Sequence, residues 1–360
     1  MQIAVYSPYL DTMGGGEKYM LTIAEILSQL GSVELLLDTH LATLDVGKIV
    51  SQAELFHGLD LSKVKFVKAP IGKGSSSLER YLFLKKYDLL ICNTDGSIFY
   101  SSAKKSFIHF QVPFENINAK GIYGTLKLKS WKKAIYNSSF TKEIIEKTWN
   151  IKGAIIYPPV SVELFKPQTK KKQILTVGRF FSLDKSKKQS LMIDTFKQLV
   201  KDSKLASWSL EIAGGVMSGD EDYVEELREN AKGANINFHI NVPLPKLQQL
   251  YGQSSIYWHA KGFGEVDPKD FEHFGISTVE AMAASCVPVV VNLGGQKEIV
   301  EDGVSGLLWN TVEELKSLTL KVINDQKLMF KLSIGASRRA QRFSKQEFKK
   351  KLLEQIQNEA

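Results

Sequence analysis

Along this chain, short runs rich in Val, Ile and Leu alternate with longer stretches of helical period, which is the pattern of parallel sheets covered on both faces. Strands are expected over 2–7, 33–38, 65–67, 88–93, 106–111, 133–137 and 154–156, and helices over 17–30, 78–85, 126–131 and 141–149. After Tyr157-Pro158-Pro159 and the polar stretch 166–173 the alternation starts afresh with Ile174-Leu175-Thr176-Val177-Gly178. The second series places strands at 174–178, 209–213, 236–239, 256–259, 287–291 and 306–308, with helices at 189–200, 223–232, 245–251 and 276–284. The pattern predicts an α/β fold of two Rossmann-like domains, 1–165 and 166–340, facing a cleft. In open parallel sheets ligands bind outside the carboxyl ends of strands, so the residues just after each strand carry the functional reading.

Composition agrees with two domains, since 360 residues exceed what one core usually serves and 43% hydrophobic content can fill two. No apolar run approaches the roughly 18 residues that span a bilayer, and Met1-Gln2-Ile3-Ala4-Val5-Tyr6 enters a strand directly, so a cytoplasmic protein is expected. Cys92 and Cys286, the two cysteines, sit in apolar surroundings and read as buried hydrophobes rather than a disulfide or metal site. A net charge of +8 favours anionic partners without choosing among nucleic acid, membrane surface and phosphorylated substrate.

Several strand ends carry candidate chemistry. Asp11-Thr12-Met13-Gly14-Gly15-Gly16 lies between the first strand and first helix, where glycine lets a backbone approach a phosphate or sugar. Gly14, Gly16 and Asp38 partly imitate a dinucleotide fingerprint, but Tyr19 stands where its third glycine belongs. His109 falls near the end of the strand 106–111. In the second half Arg179 follows Val177-Gly178, and Lys185-Ser186-Lys187-Lys188 opens the next helix, so a guanidinium and an ammonium can reach one anion and stabilise it as it leaves. Asp220-Glu221-Asp222 resembles a metal-holding acid pair, yet its place at a helix start favours capping, and no metal is expected. Asn292-Leu293-Gly294-Gly295 reads equally as a phosphate-approach loop or a plain turn. Most informative is Glu272-His273-Phe274-Gly275-Ile276-Ser277-Thr278-Val279-Glu280, where two carboxylates bracket a glycine-bearing helix start. Free N–H groups there suit a diphosphate, Glu280 a ribose and Glu272 the hydroxyls of a hexose.

Taken together, the glycine-rich first loop, Val177-Gly178-Arg179, the helix through Leu191-Met192-Ile193-Asp194-Thr195-Phe196, the segment from Glu272 to Glu280, and Gly294-Gly295 to Gly306 resemble the retaining glycosyltransferases of family 4, the group 1 enzymes of GT-B fold. Within it, Gly14-Gly15-Gly16-Glu17 and Glu272-His273-Phe274-Gly275-Ile276 are similar to mannosyltransferases that use GDP-mannose on lipid-linked oligosaccharides. The resemblance implies that Arg179 and Lys187 contact the donor diphosphate, Glu272 the transferred sugar and Glu280 the ribose. It further implies backbone amides from Phe274, Gly275 and Ile276 near sugar and phosphate, and His109 beside the anomeric centre. One departure is that Lys188 stands where a glycine usually follows the lysine. The implied activity is metal-independent, cofactor-free hexose transfer with retention, from a nucleoside diphosphate sugar to a glycan or lipid-linked hydroxyl. A C-terminal helix within 341–360 is expected to return to the first domain, and no nucleic-acid partner is expected. The segment 120–133, mixing Lys with Ile122, Tyr123, Leu126 and Trp131, has the composition of a segment resting on an anionic membrane surface at its inner face. Two other readings are a sugar-nucleotide-binding module without turnover and an NAD(P)-dependent oxidoreductase.

Overall fold

The computed structural model describes residues 1–10, 14–72, 74–114, 121–183, 185–201 and 205–357, with Phe56 described by its backbone alone. Asp11, Thr12 and Met13 of the glycine turn, and Lys120 of the basic segment, lie outside the described residues. The chain forms two compact units, Met1–Pro159 with Phe348–Ala360, and Val160–Glu347.

The first unit runs β1 (Gln2–Tyr6), α1 (Gly15–Leu27), β2 (Ser32–Leu37), α2 (Val46–His57), β3 (Val64–Lys68), α3 (Ser77–Leu84), β4 (Leu89–Asn93), β5 (Lys105–Phe110), α4 (Gly121–Lys129), β6 (Lys133–Tyr136), α5 (Ser139–Thr148) and β7 (Gly153–Ile155). Its seven strands pair in the order β3-β2-β1-β4-β5-β6-β7, all parallel. The strands read as continuous apolar runs because both faces are covered. Ile3, Val5, Ile91 and Phe107 pack under α1, while Ala4, Leu90, Ile108 and Phe110 pack on the opposite face with Leu84, Ile145 and Trp149.

The second unit contains β8 (Lys171–Val177), α6 (Gln189–Val200), β9 (Ser209–Gly214), α7 (Glu221–Ala231), β10 (Ile236–Ile240), α8 (Leu244–Gln253), β11 (Ser254–His259), α9 (Ile276–Ala283), β12 (Val287–Val291), α10 (Gln296–Ile299), β13 (Leu307–Trp309), α11 (Val312–Asn324) and α12 (Gln326–Ala340). Its strands pair in parallel in the order β10-β9-β8-β11-β12-β13. Met192, Phe196, Tyr223 and Leu227 from α6 and α7 cover one face of this sheet, joined by Leu315 and Leu332 from α11 and α12. Both sheets therefore reverse strand order beside their first strand, between β1 and β4 and between β8 and β11.

The division falls at Pro159/Val160 rather than after residue 165. Val160 donates its amide to the Phe343 carbonyl at 3.0 Å and accepts from Lys345 at 3.1 Å, and Phe165 meets the edge of Tyr251, which ties this stretch to the second unit. A last helix, α13 (Lys345–Gln357), carries Phe348 and Leu352 into the core of the first unit, which takes the chain from residue 348 rather than 341.

Candidate active site

In the second unit, Gly178 and Arg179 follow β8 and His259 ends β11, so the two strand ends that flank the order reversal both carry polar chemistry. A Cβ on Gly178 would come within 2.9 Å of Lys187 Cγ, so this glycine lets the lysine stem cross the strand end. Lys187 Nζ then reaches Glu272 Oε2 at 2.6 Å, and His259 Nε2 meets the same oxygen at 3.1 Å. Oε1 of Glu272 is left without a protein partner among the described residues. Burial pushes the Glu272 carboxyl up, but Lys187, Lys261 and the His259 hydrogen bond outweigh it and hold the group well below the usual carboxylate range. His259, by contrast, is lowered by burial and is neutral at physiological pH.

The adjacent lysine is used differently. Lys188 caps α6 in the left-handed region at φ 56° and pairs with Glu265. A glycine suits that backbone conformation without a side-chain penalty, which explains why glycine is at home there, and the structure identifies Lys187 as the lysine beside Glu272. Arg179 is exposed and has no ion pair or side-chain hydrogen bond among the described residues. Its carbonyl accepts from Gln189 Nε2 at 3.1 Å, which anchors its backbone to the first turn of α6.

The segment 272–276 is clamped before it enters α9. Gly295 donates its amide to the Glu272 carbonyl at 2.7 Å, and a Cβ on Gly294 or Gly295 would strike the backbone of Glu272, His273 or Phe274. The glycines at 294 and 295 thus serve close protein packing. Gly275 is the N-cap of α9 at φ 118°, and a Cβ there would collide with the Gln296 amide, so no other residue fits. No side chain caps this helix, and with Thr278 already donating to the Gly275 carbonyl at 3.1 Å, the amides of Ile276 and Ser277 are left for another acceptor. Phe274 is buried with its ring against Phe343 at 5.4 Å, so its part in a site is limited to its backbone. Glu280, a turn further on, accepts from Tyr251 Oη at 2.9 Å. At the far end, Lys170 Nζ donates to the carbonyls of Ala284 and Ser254 at 2.6 and 2.7 Å, which fixes α9 from behind.

Arg179, Lys187, Glu272, Phe274, Gly275, Ile276 and Glu280 all belong to the second unit, while Gly14, Gly15, Gly16 and His109 belong to the first. There Gly14 is the N-cap of α1 without a side-chain bond, and the open side of Gly16 is filled by the Gln111 side chain. His109 is fully buried and stacks on Tyr19 at 4.0 Å with the planes 12° apart. Its Nδ1 lies 3.2 Å from the Ile135 carbonyl, and burial pulls its pKa down to about 3.

Other candidates resolve locally. Asp38 accepts from Tyr6 Oη at 3.0 Å and from the amides of His40 and Leu41 at 2.9 and 2.8 Å, so it is committed within the protein rather than offered to a ribose. Asp220 accepts from the Ser182 amide and hydroxyl at 2.8 and 2.6 Å, and Glu221 from Gly219 at 2.7 Å. Cys92 and Cys286 are buried and free. His259, Glu265 and Gln296 were missed by sequence reasoning. The strand-end rule that singled out His109 would also have found His259, directly after Ile256-Tyr257-Trp258.

Residues 162–339 match the family model of the group 1 glycosyl transferases. A Dictyostelium discoideum protein named GDP-Man:Man(3)GlcNAc(2)-PP-Dol alpha-1,2-mannosyltransferase is 28% identical over 61% of this chain and 45% of its own length. The Homo sapiens protein of that name is 28% identical over 61% of this chain and 47% of its own. The chain thus spans less than half the length of these relatives. Among solved structures, Anabaena Alr3699/HepE in complex with UDP-glucose superposes with a TM-score of 0.71 at 18% identity, covering 99% of this chain and 100% of that one, which establishes the GT-B fold. Through residues 162–339, nearly the whole of its second unit, the chain is similar to the group 1 glycosyl transferases.

Proposed function

We propose that the protein transfers a hexose, mannose from GDP-mannose as the leading candidate, to a hydroxyl of a glycan or lipid-linked acceptor with retention of configuration. The observation that carries this reading is the Glu272 carboxylate, held ionised by Lys187 and His259 directly before the uncapped start of α9. A diphosphate fits the free amides and the unpaired Arg179, while Glu272 Oε1 and Glu280 suit sugar hydroxyls. The acceptor oxygen bonds to the anomeric carbon as the bond from that carbon to the phosphate oxygen breaks. The electron pair leaves with the diphosphate, which also takes the acceptor's proton. Such a reaction needs cations and orientation more than a tuned nucleophile. In the first unit the reading assigns His109 and the turn Gly14, Gly15 and Gly16 to sugar contact.

GDP-mannose is favoured by the names of the curated relatives, and a UDP-sugar remains the rival because the Anabaena structure holds one. Assay of nucleoside diphosphate release from GDP-mannose, UDP-glucose and UDP-GlcNAc decides between them. No release with any donor refutes the transferase reading. Since side chains supply the positive charge, turnover is proposed to persist in EDTA, and loss of activity there would overturn the metal-free mechanism.

An anionic membrane surface is proposed as the place of work. Among the described residues no helix is long and apolar enough to cross a membrane. Instead α4 exposes Ile122, Tyr123 and Leu126 beside Lys127 and Lys129, an apolar face bordered by cations. Flotation with anionic and neutral vesicles tests it: equal binding to both, or to neither, removes the proposal.

A further inference from the structure

The carboxyl ends of β1, β4 and β5 carry a polar row on the face that otherwise packs beneath α1. Ser7 follows β1, Asn93 ends β4, and His109 is next to last in β5. Ile3, Val5, Ile91 and Phe107 on this face are core residues. Asn93 and His109 are direct register partners, and the pairing of Tyr6 with Cys92 puts Ser7 beside Asn93. The row therefore starts at the order reversal between β1 and β4, where ligands of open parallel sheets bind.

Hydrogen-bond accounting leaves two acceptors over. Ser7 Oγ donates to the Tyr9 carbonyl at 2.9 Å, so it can only accept from Asn93, whose Nδ2 lies 3.4 Å away. That fixes the amide orientation, and Asn93 Oδ1 has no partner among the described residues. The Ile135 carbonyl can only accept, so His109 Nδ1 carries the ring proton and Nε2 presents a bare lone pair, also without a partner among the described residues. Asn93 is 3% exposed and His109 0%. Each buried acceptor left unmade is destabilising, a penalty that a purely structural residue would avoid by being apolar.

We propose that Asn93 Oδ1 and His109 Nε2 jointly accept hydrogen bonds from hydroxyls of a hexose, which makes Asn93 a substrate-binding residue. Two neighbouring acceptors without a donor select a ligand bearing adjacent O–H groups and disfavour phosphate or carboxylate at this spot. The inference rests on the transferase reading only for which molecule brings the hexose, the sugar nucleotide or the acceptor.

The test uses the full chain with Asn93→Leu, and His109→Phe as a second variant that keeps the ring stacked on Tyr19. GDP release is measured with GDP-mannose and methyl α-mannoside, and with monodeoxy forms of each. The wild type should lose at least about tenfold in kcat/KM with one deoxy form, the value of one hydroxyl contact, and both variants should no longer distinguish that form from its parent. A discriminating position on GDP-mannose assigns the donor hexose, and one on methyl α-mannoside assigns the acceptor. GDP lacks the hexose and should bind the variants as it binds the wild type. Retained discrimination in Asn93→Leu overturns the inference. Should the wild type release no GDP, which defeats the transferase reading, the pair is still read by 15N NMR of His109 during addition of mannose. A shift of Nε2 in the wild type that is absent in Asn93→Leu supports the inference, and no shift overturns it.

Discussion

The two order reversals of this molecule have the same topology and opposite electrostatics. At the reversal in the second unit the sheltered charges are matched by the protein itself, Lys187 with Glu272 and Lys188 with Glu265, while the neutral His259 Nδ1 and the exposed Arg179 side chain have no partner among the described residues. In the first unit the groups are neutral and two of them are unmatched among the described residues, Asn93 Oδ1 and His109 Nε2. The difference follows from what burial costs. An unpaired ion in a sheltered place is expensive enough to be matched in the resting protein, whereas a neutral acceptor can wait for its ligand at a modest penalty. A ligand at the charged end meets Glu272 Oε1 and Arg179 beside existing ion pairs, and one at the neutral end supplies donors that were missing.

The comparison breaks most visibly at Glu272. Glu272→Ala should cut sugar transfer on the order of 10³-fold, because Lys187 and His259 lose the oxygen they share; near-normal GDP release would sink the assignment. Arg179→Ala should slow the saturated rate on the order of 10²-fold while stability moves by no more than about 0.5 kcal/mol, since the guanidinium is exposed and unbonded. An unchanged kcat would remove its role toward the leaving group.

Acid titration sharpens the neutral side. The His109 pKa falls from 6.5 unfolded to about 3 folded, so below pH 6.5 the unfolded chain binds the proton and the folded one does not. Stability from this residue is therefore complete above 6.5 and declines as pH falls toward 3, by up to about 1.4 kcal/mol per pH unit. His109→Phe should flatten that slope in urea unfolding across the range, and an unaltered slope would show that the ring is not the buried neutral base described. The smallest effect is expected at Lys188→Gly. Relief of the left-handed backbone and loss of the half-sheltered Glu265 pair oppose each other to within about 1 kcal/mol in thermal unfolding.

Strand positions were legible because parallel strands buried on both faces form continuous apolar runs, as in Leu89–Asn93 and Val287–Val291. Helices with a narrow or interrupted core stripe were not. In α12 the buried positions Leu332, Ala336 and Ala340 include two small residues, while Phe330 and Ile334 are exposed and blur the period. In α2, among the described side chains, only Ile49 and Ala53 are buried and Leu55 faces outward. Within the site, the start of α9 at Gly275-Ile276 was readable from local pattern. The role of Gly294 and Gly295 was not, because their neighbours are the backbone of residues some twenty positions earlier.

By itself the sequence determined the two α/β series, the glycine that opens α9, the carboxylates on either side of it and the strand ends that carry cations. These depend on local period and on residues that tolerate special backbone angles. Only the tertiary structure decided that Lys187 rather than Lys188 meets Glu272, that His259 shares the same oxygen, and that Asn93 lies beside His109 with both acceptors unfilled. Those outcomes depend on strand order and register, which bring together groups from 13 to 85 positions apart in the chain and which no local pattern encodes.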